Sequence, residues 1–396
     1  MKIGWIDFSP TDRRRVLDVL SMNAEKGATD ELGIGSIRDA FANYFFPGTS
    51  TIQTRAKYFL LVPYILQELD YSKRFDEIEK ELYKLEQECC RKLAENSSDL
   101  SGSGIIGHTQ KDSDEWVLRK PSDIYWHGIK RWGILSLPGD NVENVSIGDY
   151  IRFRQQMNEN GKKQKEAGKL RVSSDDANDD MFHNGGHGRF SWAVSPPPNW
   201  FNDLDIELTP GEAECLRGHI SKYCNGSLLH TILEKDIAID CIDNIIALAD
   251  KVSKDVDDYT RGMLELACKF SEFVYVARIC YNRIRTEDTL GADEWKCYDG
   301  KLPDVANFDV VEIMRRLDVS NPKLRNFICD LQEAYRKEDY DKICNIIIAR
   351  ENEIKDKRAK LAHPDANIRD WIGGRQLDYR WNTAKRLIND IRNPKC

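Results

Sequence analysis

Three carboxylates lie beside aromatic or basic residues, in settings that suit acid–base chemistry. Asp7 is in the apolar run Trp5-Ile6-Asp7-Phe8. Burial there would raise its pKa or require a cationic partner, such as an arginine of the Arg13–Arg15 cluster. Asp123 and Asp378 are the other two candidates. A buried structural ion pair between Asp7 and an arginine would explain the apolar setting of Asp7 equally well.

The segment from residue 33 to residue 57 combines glycine-rich turns with a run of Ser and Thr, ending in PGTSTIQTRAK. A turn of this kind before a helix presents backbone N–H groups to an anion. Arg55 and Lys57 would then contact phosphates, and Gln53 could read a base edge. The predicted DNA contacts in this segment are Thr51, Gln53, Thr54, Arg55 and Lys57. The alternative is an ordinary helix hairpin, and ATP binding is not indicated because the P-loop pattern is absent.

The segment RKPSDIYWHGIKRW, residues 119–132, interleaves basic and aromatic side chains. Lys130 and Arg131 would hold phosphates, while Tyr125 and Trp126 would stack on an unpaired base. The alternative is an amphipathic helix whose aromatic rings face the core.

Two further segments are basic. Residues 350–396 contain twelve Lys or Arg against seven Asp or Glu, including Arg375, Tyr379 and Arg380 in WIGGRQLDYRW, whereas residues 234–258 contain three against eight. Residues 152–171 contain seven Lys or Arg against two Asp or Glu. They are predicted to form a flexible loop that closes over DNA, and the alternative is an insertion without a function. A basic face is therefore expected on a chain whose net charge is −8.

Composition predicts a globular protein in a reducing compartment. The chain has 396 residues, of which 41 % are hydrophobic and 31 % charged. Its 11 cysteines form no CxxC pair, and His183 and His187 lack metal-site spacing, so neither a metal nor another cofactor is expected. The N-terminus does not resemble a signal peptide, and no apolar stretch is long enough to cross a membrane, which together predict a cytoplasmic protein.

Periodicity predicts a mainly α, multi-helix fold with a few short strands near the N-terminus and in the middle. Three regions are expected. They are an N-terminal helical region (1–100), a mixed region (101–205) with a flexible insertion at 155–190, and a C-terminal helical domain (206–396). Helices are expected at 31–45, 52–69 and 73–95, and the run from Met263 to Ile284 is expected to be the central buried helix. Thr209 and Glu212 have the spacing of a capping box that begins a helix, and Gly133 is expected to end the helix that Ser122 begins.

Four blocks of the sequence resemble an uncharacterised bacterial family associated with anti-phage defence loci, beside helicases and nucleases. They are KIGWIDFS, ELGIGSIRDAFANYFFPGTSTIQTRAKYFLLVPYIL, GIIGH with KPSDIYWHGIKRWGI, and LDYRW. The resemblance runs along the whole chain and implies work on phage DNA, possible partner proteins from the defence locus, and no membrane. It further suggests a DNA glycosylase that removes modified, cytosine-type bases.

Such an enzyme extrudes a base from the stack and leaves an abasic site, which needs cations, ring faces and a carboxylate. The predicted catalytic residues are Asp7, Asp123 and Asp378. The predicted stacking residues are Tyr125, Trp126 and Tyr379. The predicted DNA contacts outside residues 33–57 are Arg13, His108, Lys130, Arg131, Arg375 and Arg380. A non-enzymatic DNA-binding or adaptor subunit is the alternative, and a metal-dependent nuclease is a third.

Overall fold

The computed structural model describes residues 30–137, 142–171, 190–202 and 204–395. In these ranges the chain is mainly helical, as expected. Its only sheet there is a pair of short antiparallel strands, β1 (Leu135–Ser136) and β2 (Ser191–Trp192). No helix within the described ranges is both long and apolar enough to cross a membrane. The strand expected near the N-terminus falls at residues 2–8, outside the described residues.

The helices follow one another along the whole of the described chain. In chain order they are α1 (Gly35–Phe45), α2 (Tyr58–Glu68), α3 (Phe75–Asn96), α4 (Pro121–Arg131), α5 (Ile147–Arg171), α6 (Pro210–Tyr223), α7 (Leu228–Glu234), α8 (Ile245–Val252), α9 (Asp258–Arg285), α10 (Ala292–Lys296), α11 (Leu302–Val305), α12 (Val310–Arg316), α13 (Pro322–Arg336), α14 (Tyr340–Lys355) and α15 (Trp381–Arg392).

The described residues divide into two compact units, each made of two separated chain segments. Unit 1 contains the described residues up to Phe45 together with Ile239–Trp381, and unit 2 contains Phe46–Ala238 together with the residues from Asn382 onward. Three consecutive regions were expected instead. The division differs because packing joins distant segments: in unit 1 the ring of Phe41 lies 6.3 Å from that of Phe270.

Helix α9 forms the core of unit 1. Most of its apolar side chains, among them Met263, Phe270, Phe273 and Ile279, are almost entirely buried. Asp257 begins the helix by accepting a hydrogen bond from the Thr260 N–H at 2.7 Å. The prediction of a central buried helix over residues 263–284 is therefore confirmed.

Helix α2 begins at Tyr58 rather than at Ile52. The preceding residues form a loop in which Gln53 makes hydrogen bonds to the nearby backbone. The Gln53 Oε1 accepts the Ser50 N–H at 3.0 Å, and its Nε2 donates to the Gly48 carbonyl at 3.1 Å. Local bonds of this kind compete with the helical pattern, which explains the later start.

Helix α5 runs without interruption through residues 155–171, where a flexible insertion was expected. The prediction was wrong for these residues because most residue types there, including Lys, Gln, Glu, Leu and Arg, favour helix. Ser146 and Asp149 fix the start of the helix, since each accepts the backbone N–H of the other at 3.1 Å. Residues 172–189 of the expected insertion lie outside the described residues.

A capping box begins α6, as the sequence predicts. Thr209 Oγ1 accepts the Glu212 N–H at 3.4 Å, Glu212 Oε2 accepts the Thr209 N–H at 2.8 Å, and Pro210 occupies the first helical position. The predicted stop after α4 is also confirmed, because Gly133 adopts a φ of +66°.

A buried carboxylate joins α3 to the start of α4. Glu86 is 2 % exposed and accepts hydrogen bonds from the Ser122 N–H at 2.6 Å and the Ser122 hydroxyl at 3.1 Å. Desolvation raises the pKa of Glu86 to about 7, although the Ser122 N–H opposes this by stabilising the ionised form.

This raised pKa makes stability depend on pH. The folded protein binds the Glu86 proton more tightly than the unfolded chain, whose Glu pKa is near 4.5. The stabilisation is therefore complete below that value and is lost as the pH rises through about 7. Relative to Glu86→Gln, we expect the wild-type free energy of unfolding to fall by about 3 kcal/mol over this range, measured by urea titration at several pH values.

Glu88→Gln is the matched control, because Glu88 lies in the same helix and is exposed. It should keep the wild-type pH dependence. If Glu86→Gln also kept the wild-type pH dependence of unfolding, the proton on Glu86 would not be the source of that dependence.

Candidate nucleic-acid interface

Residues 371–380 form a strap that lies along α9 within unit 1. Asn282 binds both polar groups of the Ile372 backbone, each at 2.9 Å. Ser271 does the same for Leu377, accepting its N–H at 2.8 Å and donating to its carbonyl at 3.4 Å. The strap therefore runs antiparallel to the helix and is anchored near both ends.

Tyr379 lies under the strap rather than on its surface. Its side chain is completely buried, and its hydroxyl donates to the Ala267 carbonyl at 2.7 Å. Its ring packs edge-on against Phe41, with 5.3 Å between the centroids. Tyr379 was predicted to stack on a base, but this ring could do so only after unit 1 repacked.

Arg278 of α9 lies beneath the two glycines of the strap. Its Nη1 donates to the Arg375 carbonyl at 3.2 Å. Gly373 has a φ of +74°, and a Cβ there would lie 3.4 Å from the Arg278 Nε. Within the described residues no carboxylate oxygen lies within 4.0 Å of this guanidinium. Burial lowers its pKa, which Asp30 partly offsets.

Arg380 and Arg38 share one carboxylate of α1. The Arg380 Nη2 lies 3.5 Å from Asp39, and the Arg38 Nε lies 3.2 Å from the same Oδ1. Arg380 also donates to the Asn43 side chain at 2.7 Å, and its backbone N–H donates to Asp378 at 3.2 Å. The strap thus brings together four predicted residues, Arg375, Asp378, Tyr379 and Arg380.

We call Arg38, Arg278, Arg375 and Arg380 the arginine cluster. Arg375 is exposed and the Arg38 side chain is 37 % exposed, so the cluster has two guanidinium groups that solvent reaches. Asp30, Asp39 and Asp378 lie near it and balance part of its charge. Sequence reasoning missed Arg278, whose only signal is a basic residue inside a mainly apolar helix.

The predicted phosphate contact Arg55 belongs to a structural latch in unit 2. Its Nε lies 2.9 and 3.0 Å from the two carboxylate oxygens of Asp390, and its Nη1 donates to the Ser103 carbonyl at 3.0 Å. Asp390 also accepts the Ala56 N–H at 2.8 Å. Burial raises the pKa of Asp390 even though Arg55 favours its ionised form. This arrangement fixes the loop before α2.

The same loop is anchored by Tyr125, a predicted stacking residue. Its hydroxyl accepts the N–H groups of Thr54 and Arg55 at 2.8 and 3.0 Å and donates to the Arg55 carbonyl at 2.8 Å. The ring is completely buried and packs edge-on against Phe59, with 5.0 Å between the centroids. Tyr125 therefore has a clear structural role.

Trp126 and Lys130 are also engaged within unit 2. The Trp126 Nε1 donates to the Val145 carbonyl at 2.7 Å, and the ring is 7 % exposed. The Lys130 ammonium donates to the carbonyls of Glu143 and Val145 at 2.6 and 2.8 Å. These bonds hold the segment after β1 against α4.

The remaining candidates in unit 2 do not converge. Lys57 is 6 % exposed and its ammonium lies 2.7 Å from the Glu212 carboxylate. Gln53 is 2 % exposed. Asp123 is exposed and caps its own helix by accepting the Lys120 N–H at 3.2 Å. Exposed or half-buried positions are occupied by Thr51, Thr54, His108 and Arg131.

Asp7, Arg13, His183 and His187 lie outside the described residues. Within the described ranges, His, Cys, Asp and Glu side chains form no group of three or more that could hold a metal ion.

Residues 1–155 match DUF6361, a family of unknown function. No curated protein and no solved structure matches the chain.

The latch predicts the outcome of removing Arg55. Arg55→Ala would leave the Asp390 carboxylate buried without its partner, and we expect the free energy of unfolding to fall by about 3 kcal/mol. Arg131→Ala, at an exposed position in the same unit, should change it little. Urea titration of both variants provides the measurement. Equal stability of the two variants would contradict the structural role of Arg55.

Proposed function

We propose that the protein binds DNA through the arginine cluster of unit 1 and that it is a base-excising glycosylase of phage DNA. The observation that carries the binding proposal is the Arg278 guanidinium, which lies beneath Gly373 and Gly374 without a carboxylate within 4.0 Å in the described part of the chain. Arg375 beside it is exposed.

A phosphate group is the ligand that suits this arrangement. The planar guanidinium fork of arginine matches phosphate oxygens and is always charged. Glycine allows a ligand to approach the backbone closely, because it has no side chain. The strap is anchored at Ile372 and Leu377, so its backbone pays little entropy on binding.

The base-excision part of the proposal rests on the resemblance to the defence-locus family. Asp378 lies within the strap, beside Arg380, and is a carboxylate near which a sugar cation would be stabilised. The three aromatic residues proposed for stacking, Tyr125, Trp126 and Tyr379, are buried. An extruded base would therefore have to be received by other rings.

A binding or adaptor subunit is the second candidate. The observation that favours it is that Asp123, one of the predicted catalytic carboxylates, is exposed and caps its own helix. Binding without chemistry needs only the cationic surface.

The test compares the wild type with Arg375→Ala for binding to duplex DNA over a range of salt concentrations. Loss of one phosphate contact should weaken binding and reduce the slope of log K against log salt by about 1. The matched control is Arg369→Ala, since Arg369 is also exposed and lies just before the strap. An unchanged slope for Arg375→Ala would remove the strap from the interface.

The same samples, prepared with unmodified and modified phage DNA in EDTA, are then treated with alkali. Alkali-dependent breaks confined to modified DNA are the expected result. Binding without breaks would favour the adaptor, and direct breaks that appear only when metal is restored would indicate a nuclease.

A further inference from the structure

Unit 2 contains an open pocket of about 470 Å³ that none of the predicted site residues line. It lies where the end of α2 meets the first half of α5. Six of its lining residues carry the argument: Asp70, Tyr71, Phe153, Arg154, Asn158 and Phe190. The volume is in the range of pockets that bind small organic ligands.

The walls of the pocket are aromatic and firmly supported. Phe153 and Phe190 meet at right angles, with 4.8 Å between their centroids. Tyr71 donates a hydrogen bond to the Leu66 carbonyl, and its ring meets that of Tyr150 edge-on at 6.1 Å. Because the neighbouring rings fix one another, the aromatic walls of the pocket are in place without prior rearrangement.

Arg154 and Asn158 place polar groups on one side of the pocket, one helical turn apart on α5. The Arg154 guanidinium lies 4.9 Å from the centre of the Tyr71 ring. In the described part of the chain it has no carboxylate within 4.0 Å, and the Asn158 amide makes no side-chain hydrogen bond. A ligand would supply partners for both groups.

Asp70 supplies an acceptor at the same pocket. Its Oδ1 is fixed by the N–H and hydroxyl of Ser72, at 3.0 and 2.7 Å. A carboxylate can accept about four hydrogen bonds, so it can also receive a donor from a ligand. The pocket therefore offers one cation, one amide and one carboxylate around ring faces.

We infer that this pocket receives a single extruded nucleobase that carries an exocyclic amino group. Ring faces and a guanidinium stack on a planar base, Asn reads its edge with a donor and an acceptor, and Asp accepts from an amino group. The helix that supplies Arg154 and Asn158 carries seven basic and two acidic residues over 152–171, a charge that suits the flanking phosphates.

Other ligand classes match the pocket less well. A purely apolar ligand would leave the Arg154 guanidinium and the Asn158 amide without hydrogen-bond partners, which is costly. A free phosphate would be repelled by Asp70 and would not use the rings. The inference rests on the proposed function only in that DNA would be the source of the base.

The test titrates the full-length protein with the four neutral deoxynucleosides, using calorimetry. Because deoxynucleosides lack phosphate, they do not report on the arginine cluster. Deoxyadenosine, deoxycytidine or deoxyguanosine should bind about tenfold more tightly than thymidine, which lacks the amino group. Asn158→Ala should weaken this binding about tenfold, and Arg154→Gln should weaken it as well.

Asn225→Ala is the matched control, because Asn225 is an exposed asparagine of the same unit, away from the pocket. It should bind as the wild type does. Equal binding of all four deoxynucleosides, no binding, or unchanged affinity in Asn158→Ala would overturn the inference. DNA binding without nucleoside binding would reject the pocket alone, whereas nucleoside binding without DNA binding would reject the proposed function alone.

Discussion

The arrangement of unit 1 depends on the hydrogen bonds that the backbone of a non-helical segment, the strap, makes with α9. A strap lying on a helix finds the helix N–H groups already paired, so its own backbone carbonyls need donors from side chains. Asn282 and Ser271 solve this by offering both a donor and an acceptor from side chains of α9. Their spacing along the helix sets the path of the strap, and hence the position of Arg375, Asp378 and Arg380.

In unit 2, polar side chains also bind the backbone of an irregular segment, but there they serve the fold. There the irregular loop before α2 is satisfied by the Tyr125 hydroxyl and the Asp390 carboxylate. Arg55 neutralises that carboxylate, so a cation that resembles a phosphate contact in the sequence serves the fold. The two units thus use polar side chains in the same way, and the strap leaves Arg375 exposed between its anchors.

The sequence predicted features that depend on neighbouring residues. The capping box at Thr209 and Glu212, the stop at Gly133 and the buried run of α9 follow from spacing within a few residues. It did not predict features that depend on distant partners. Arg55 and Asp390 are 335 positions apart, and nothing near Arg55 in the sequence indicates that it is paired.

One wrong prediction and one missed pocket show the same limit of the sequence analysis. The lysine-rich end of α5 was predicted to be a loop from its glycines and charge, although its other residues favour helix. The pocket of unit 2 was not predicted at all, because its halves, residues 69–71 and 153–158, are far apart along the chain. Only packing brings Asp70 to the same pocket as Asn158.

Hydrogen–deuterium exchange with and without duplex DNA tests most directly whether the strap is the interface. In the described part of the chain, the amide groups of residues 373–376 make no backbone hydrogen bond, so they should exchange rapidly in the free protein. Saturating DNA should slow exchange there and leave the exposed turn at Asn225–Gly226 unchanged. Unchanged exchange over residues 373–376 in the presence of bound DNA would contradict the account.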